Sequence, residues 1–383
     1  MGAEETEEYI KSRPVIKRGA SILETMRVIQ WLGFLLATCA AVSPLRAAEL
    51  PPHYVAHRTV GELSIDGKLD EPSWQRVPWT ELFLPADSRT GAAVRPRYNT
   101  RAKILWDNDN LYIAADLEEP HVWAVLTRRD TTVYHDDAFE VYIDPDGDTH
   151  EYYELSVNAW GTVQDLLLLK PYRDRGTYVQ AWDITGLDAA VQVWGTLNDA
   201  QDTDLGWSVE LALPWPVLGE CANRPSPPRD GDTWRLNLSR LDWTVEIAGG
   251  GYIRGADAQT WVWSPMEAAD MHLPEEWGFV QFSSRRAGAE PQEFRPPPER
   301  EARRILRAIY HMQRQYRERH GHFSVDLDSL GLEYQILRNF LWPPRIDVTP
   351  TQFEASLEEL VDLHGDGELN HWRIRQDSRI WKE

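Results

Sequence analysis

The residues that can do chemistry crowd into one stretch, Tyr134-His-Asp-Asp-Ala-Phe-Glu-Val-Tyr-Ile-Asp-Pro-Asp-Gly-Asp148. Carboxylates accept paired hydroxyl hydrogen bonds and aromatic faces pack on C–H surfaces, so this stretch can hold a polyol. It can also ligate a hard cation. Asp144, Asp146 and Asp148 offer oxygen at every second position, and calcium takes about six to eight oxygens. The remaining ligands of an EF-hand loop are missing, so a solvated polar turn accounts for the same residues. The sequence leaves both readings open.

A strand must position these groups. Phe139, Val141 and Ile143 alternate with Glu140, Tyr142 and Asp144, the period expected of a strand with one apolar and one polar face. Asp136 and Asp137 stand at its entrance, and Pro145-Asp-Gly-Asp148 makes a turn at its exit. Similar short runs recur through residues 50–284, among them Ala102-Lys-Ile-Leu-Trp106, Leu111-Tyr-Ile-Ala-Ala115, Trp207-Ser-Val-Glu-Leu-Ala-Leu213 and Thr233-Trp-Arg-Leu-Asn-Leu238. Asp107-Asn-Asp-Asn110 joins the first two as a hairpin. Many short strands broken by turns predict a mainly β fold, an antiparallel β-sandwich of immunoglobulin-like or jelly-roll type. Residues 285–298 form a Pro-rich linker. A small α+β domain over 299–383 follows, led by an amphipathic helix with Ile305, Ile309, Met312 and Tyr316 on one face and Gly321 as its stop.

The 383 residues carry a net charge of −21, which disfavours nucleic acid as a partner because phosphate backbones need basic patches. The 18 Trp and 14 Tyr exceed what a core needs and leave aromatics for ligand stacking. With two cysteines, Cys39 and Cys221, a disulfide framework is not expected. Residues 1–25 read as an upstream extension. Residues 26–47 read as a signal peptide: Arg27, an apolar run from Val28 to Val42, then a small-residue exit. This predicts a periplasmic or secreted protein with no transmembrane span in the mature chain; a lipoprotein anchor at Cys39 fits less well because Thr38 precedes it.

Five motifs, in order, resemble the family-9 carbohydrate-binding modules: Asp66-Gly-Lys-Leu-Asp-Glu-Pro-Ser-Trp74, Trp106-Asp-Asn-Asp-Asn-Leu-Tyr112, Asp136-Asp-Ala-Phe-Glu-Val-Tyr-Ile-Asp144, the Glu-bearing strand from Trp207 to Trp215, and His272-Leu-Pro-Glu-Glu-Trp-Gly278. The resemblance implies a β-sandwich that binds sugar between two aromatic clamps. By position it assigns the first clamp to Tyr134, where the family has Trp, the key acid to Glu140 and a strand amide to Asn158. The family's sugar-binding Arg falls on Ser156, and the second clamp falls near Met271 and His272. Trp160, Trp261 and Trp263 are alternative platforms, with a core or turn role for Trp160 equally open. Structural calcium in the family raises Asp144, Asp146 and Asp148 as possible ligands. Trp74, Trp106, Trp207 and Trp215 are assigned to the core.

The expected function is non-catalytic carbohydrate binding, accessory to polysaccharide breakdown, with a poly- or oligosaccharide as partner and a partner protein for the C-terminal domain as a further expectation. No nucleophile elbow, HExxH, P-loop or CxxC occurs, and carboxylates are too numerous for any pair to argue glycosidase chemistry. Two alternatives stand beside it: a haem-binding sandwich using Met271 or His272 as axial ligand, and a cell-surface module for protein interaction.

Overall fold

The computed structural model describes residues 50–88 and 95–383. The extension, the signal peptide and Cys39 lie outside the described residues. Residues 50–383 form one compact unit. In chain order the elements are β1 (His53–Arg58), α1 (Pro72–Gln75), β2 (Leu84–Pro85), β3 (Thr100–Trp106), β4 (Asn110–Glu118), β5 (Ala138–Asp144), β6 (Tyr152–Asn158), β7 (Val163–Leu168), β8 (Tyr178–Val179), β9 (Asp188–Trp194), β10 (Gly206–Pro214), α2 (Trp215–Leu218), β11 (Thr233–Ala248), β12 (Gly251–Val262) and β13 (Gly278–Arg286). The C-terminal segment adds α3 (Arg300–His320), α4 (Leu327–Leu330), β14 (Arg345–Val348), β15 (Phe353–Glu358), β16 (His371–Arg375) and β17 (Ile380–Lys382).

Strand pairing runs β8-β7-β6-β5-β11-β13-β1-β3-β4-β10-β9, and the path folds into two packed layers. All pairings are antiparallel except those of β1, which lies parallel to both β13 and β3 and closes one side. The apolar face of β5 and β6 (Phe139, Val141, Ile143, Leu155, Val157) meets Ile104, Ile113, Leu117, Val209 and Leu211 of the opposite layer in one core. That is the alternation rule at work: residues two apart share a face and bury together. At the closed side Trp106, Trp215, Trp234 and Phe282 pack edge to face with centroids 5.3 to 6.3 Å apart, a favoured arrangement of aromatic quadrupoles. Trp106 Nε1 also donates to the Ala56 and Ser283 carbonyls, tying β3 to β1 and β13. The four tryptophans assigned to the core are buried.

One expectation needs correction. The polar face of β5 was read as half-exposed, yet every residue from Ala138 to Asp144 is buried. A second apolar cluster of Tyr142, Tyr152, Leu166, Leu168, Met266 and Trp277 covers that face. At the strand exit, charges from the C-terminal segment reach Asp144.

The C-terminal segment contributes α3 and an antiparallel sheet ordered β14-β15-β16-β17. Helix α3 ends where Gly321 takes a φ of +80°, which glycine adopts without a Cβ clash. Its apolar side, with Ile305, Ile309 and Met312, is buried. Its polar side is not a solvent face. Arg303 donates to the Gly147 and Asp146 carbonyls, Arg307 to the Ser378 carbonyl, and Tyr310 and Arg314 to Asp174. Residues 285–298 run along β13, where Gln281 and Ser283 bond to Glu293, Arg295 and Gln292.

The Asp66–Trp74 motif and the Glu of β10 form one knot. Glu210 is fully buried and accepts from Trp74 Nε1 at 2.8 Å and from the Asp66 and Gly67 amides at 3.1 Å each. Gly67 holds a φ of +84°, and a Cβ there would lie 2.7 Å from the Gln192 amide nitrogen. Replacing Glu210 with Ala strands two buried donors, the Trp74 indole and the Gly67 amide, and a part-buried one at Asp66, so Glu210→Ala is expected to lose roughly 2–4 kcal/mol of stability. Thermal denaturation followed by circular dichroism measures this; an unchanged melting temperature would refute the role given to the knot.

Candidate functional site

Tyr134 sits in a short 3-10 turn, Val133–His135, just before β5. Val133 is buried and its amide donates to Gln164 Oε1, while Trp243 Nε1 donates to the Tyr134 carbonyl. Asp137 receives the Trp243 amide at 2.7 Å, and burial together with Asp242 pushes its carboxyl up to about 8. The result is a phenol ring held out of the surface, 47% exposed. The first clamp position therefore does present an aromatic face.

Glu140 lies on the buried polar face of β5. It accepts from Ser239 Oγ at 2.9 Å and Tyr142 Oη at 3.0 Å, with Ser156 as a third donor. All three are neutral. Burial raises the Glu140 carboxyl, and the hydroxyls only partly offset it. With serine at position 156, the acid has neutral hydrogen bonds and no guanidinium among its partners.

The sequence did not single out Glu154, two residues before Ser156 on the same face of β6. Its carboxyl has no hydrogen-bond donor among the described residues, and its side chain is 13% exposed. The nearest polar group is His272 Nε2 at 4.0 Å. Burial, with the neighbouring Glu140 charge, pushes the Glu154 carboxyl up to about 8. His272 is the other member of this floor. Its Nδ1 meets Tyr152 Oη at 3.0 Å and burial lowers its pKa to about 4, so the ring is neutral at pH 7.

A second exposed aromatic lies in a loop. Tyr172 packs edge-on against His272 with centroids 4.5 Å apart and is 43% exposed. Burial, and then Glu154, Tyr178, Tyr134 and Asp270 around it, raise its hydroxyl to about 12. The Tyr172 hydroxyl lies near Glu154 and Tyr134 and its ring packs on His272, while Glu140 lies buried beside Glu154. No pattern in the sequence points to Tyr172, because its loop has no period; an exposed aromatic beside Pro171 was the only signal.

Other expected residues fall elsewhere. Asn158 is fully buried and its amide is saturated: Nδ2 donates to the Leu126 carbonyl and Asp136, and Oδ1 accepts from the Trp160 and Thr162 amides. It shapes a turn and has no bond left for a ligand, which corrects its assignment to sugar hydroxyls. Trp160 is 53% exposed on that turn, at the end of β6 away from His272. Trp261 and Trp263 are buried and offer no platform. Met271 packs against the second apolar cluster. His272 is bracketed by Tyr152, Tyr172 and Glu154, a seat better matched to hydroxyl partners than to a porphyrin face. Surface concavities lie elsewhere, one against Asp230, Arg285 and Glu293 and one beneath Pro214, Trp215 and Pro227.

The acidic turn after β5 brings a carboxylate oxygen from each of Asp144, Asp146 and Asp148 within 4.8 Å of the others. Asp144 accepts the Gly147 and Thr149 amides at 2.9 Å each, Asp146 accepts Asn223 Nδ2 at 2.9 Å, and Asp148 accepts Arg379 Nε at 3.0 Å. Burial and the two neighbouring acids raise Asp144 well above the carboxylate range, and burial with Asp146 brings Asp148 to about 6. An all-oxygen set under mutual repulsion suits a hard cation. Arg303 and Arg379 already supply part of that positive charge.

Residues 65–165 match the family described as carbohydrate family 9 binding domain-like. The matched segment spans the Asp66–Trp74 motif, Tyr134, Glu140 and Glu154, and the sandwich is family-9-like there. The chain is 25% identical over 167 residues to the exoglucanase XynX of Acetivibrio thermocellus and 23% identical over 169 residues to the endo-1,4-beta-xylanase A of Thermotoga neapolitana. These alignments take in 43% and 41% of this chain but only 12% and 14% of those enzymes. A family 9 carbohydrate binding module from Caldicellulosiruptor kristjanssonii, solved with glucose, aligns with 62% of this chain and all of its own, at 15% identity and a TM-score of 0.38.

The raised Glu154 pKa carries a stability prediction. Between about 4.5 and 8 the folded protein keeps a proton that the unfolded chain releases, so this group's stabilising contribution falls as pH rises through that window. His272 acts oppositely between about 4 and 6.5, where the unfolded chain binds the extra proton. Subtracting wild type from variant isolates Glu154. Glu154→Gln is expected to melt with wild type near pH 5 and above it near pH 8; parallel melting curves at both pH values would contradict the assignment.

Proposed function

We propose that this protein binds carbohydrate non-catalytically on the face bounded by Tyr134 and Tyr172. The observation that carries the reading is the Glu154 carboxyl, left without a donor among the described residues and lying beside the exposed Tyr172. A pyranose supplies what this floor lacks. Its C–H surfaces pack on aromatic faces, and its hydroxyls donate to Glu154 or accept from it when protonated. His272, neutral at pH 7, can donate or accept. The match of residues 65–165 to a carbohydrate-binding family supports the same reading.

The relatives named for exoglucanase and xylanase activity support a role accessory to polysaccharide breakdown, with glucans and xylans as ligand candidates. The signal-like residues 26–47 support export to the periplasm or medium. No helix among the described residues is long and apolar enough to cross a membrane. Titration calorimetry with glucose, cellotriose and xylo-oligosaccharides tests the reading. Tyr134→Ala and Tyr172→Ala are each expected to weaken binding roughly three- to tenfold, ~0.7–1.4 kcal/mol. A folded protein that binds none of a broad glycan panel would overturn it.

The acidic turn adds a second, separate reading, that Asp144, Asp146 and Asp148 hold a structural Ca2+. Its support is the convergence of three carboxylates whose mutual repulsion a divalent cation relieves. A calcium-dependent rise in melting temperature, abolished by chelator and reduced in Asp146→Asn, is the expected outcome. Identical melts with calcium and with chelator would refute it.

A further inference from the structure

The C-terminal segment has no counterpart among the motifs that resemble the family, yet its long helix reaches the candidate site. Tyr172 belongs to a 3-10 turn, Tyr172–Asp174, that closes on Arg175 at a φ of +60°, a left-handed conformation costly for a side-chain-bearing residue. Such a turn needs outside support. It receives it at Asp174, where Tyr310 Oη donates at 2.6 Å and Arg314 Nη1 at 2.8 Å to the same Oδ1. Arg314 also donates to the Arg173 carbonyl at 3.2 Å. From the other side of the turn, Arg173 pairs with Glu275 at 2.6 Å, in the short turn that follows His272. Burial alone would raise Glu275, but Arg173 and Arg307 more than offset it and hold it at about 2. One helix face therefore reaches both loops that build the site's second wall.

We propose that α3 is a brace for the ligand face: Arg314 and Tyr310, through Asp174, position Tyr172 against His272. These are positioning residues, since the contacts they make are with the loop and not with the ligand face itself. The inference rests on the carbohydrate reading and gives residues 299–383 a role in it. The coupling is of the kind expected where charge-assisted bonds fix a loop whose own backbone is strained.

A double-mutant cycle on the full chain tests it, with cello- and xylo-oligosaccharide affinity as one readout and tryptic cleavage after Arg173 or Arg175 as a sugar-independent one. Arg314→Ala is expected to weaken binding about five- to tenfold in the wild-type background. In the Tyr172→Ala background it is expected to change affinity less than twofold, because the group it positions is gone. Arg314→Lys, which restores a cation near Asp174, is expected to recover part of the loss, and Tyr310→Phe gives an independent, milder removal of one donor. Cleavage at Arg173 or Arg175 is expected to quicken in Arg314→Ala. Unchanged affinity in Arg314→Ala, or equal losses in both backgrounds, would overturn the brace while leaving the carbohydrate reading in place. If wild type binds no sugar, the carbohydrate reading falls and the ligand role of the brace falls with it, whereas faster cleavage would still show that the helix holds the loop.

Discussion

Strand β5 is buried on both faces, and the remaining architecture answers to that constraint. One face is apolar and joins the sandwich core. The other carries Glu140, Tyr142 and Asp144, groups that lose their water on folding and must find partners inside the protein. The partners come from three directions. Ser239 on β11 and Tyr142 on β5 itself satisfy Glu140. Main-chain amides of the following turn satisfy Asp144. Arginines of the C-terminal segment sit against that turn, with Arg303 on its carbonyls and Arg379 on Asp148. A segment that looks like an appendage in the sequence is thereby part of the solution to a charge-burial problem posed 150 residues earlier.

The electrostatics of the ligand face follow from the same burial. With serine at position 156, the carboxyls of Glu140 and Glu154 share a low-dielectric floor without a cation among the groups that shift them. Desolvation favours the protonated form, and each acid raises the cost of ionising the other. His272 is kept neutral by the same desolvation. A floor of protonated or hydrogen-bonding groups between phenol rings is matched to neutral polyhydroxylated ligands. It is poorly matched to anionic ones, which would add a third negative charge where two already compete.

Much of this was legible in the sequence where local chemistry alone decides. The alternation around Phe139 located β5, Asp107-Asn-Asp-Asn110 located the β3–β4 hairpin, and the spacing of Ile305, Ile309 and Met312 located α3 with Gly321 at its end. The ordered motifs singled out Tyr134, which is exposed, and Glu140, which is buried on the polar face of β5. Reading failed where a residue's role depends on what lies across from it. Asn158 has the chemistry of a ligand contact, but its four hydrogen-bonding positions are taken by Leu126, Asp136, Trp160 and Thr162. Charge on one side of a helix normally meets water, but the Arg303, Tyr310 and Arg314 side of α3 meets the loops of the sandwich.

By itself the sequence determined the strands, the turns, the helix and the presence of an acid-and-aromatic strand at the centre, because period, turn chemistry and capping act between residues close in the chain. Tertiary structure alone decided which acids are buried without a cation, that Tyr172 packs against His272, and that α3 packs against the loop that carries it. Those outcomes join residues 100 or more positions apart, such as Tyr172 with His272 and Asp174 with Arg314. Burial and pairing are properties of the packed whole, and no local pattern encodes them.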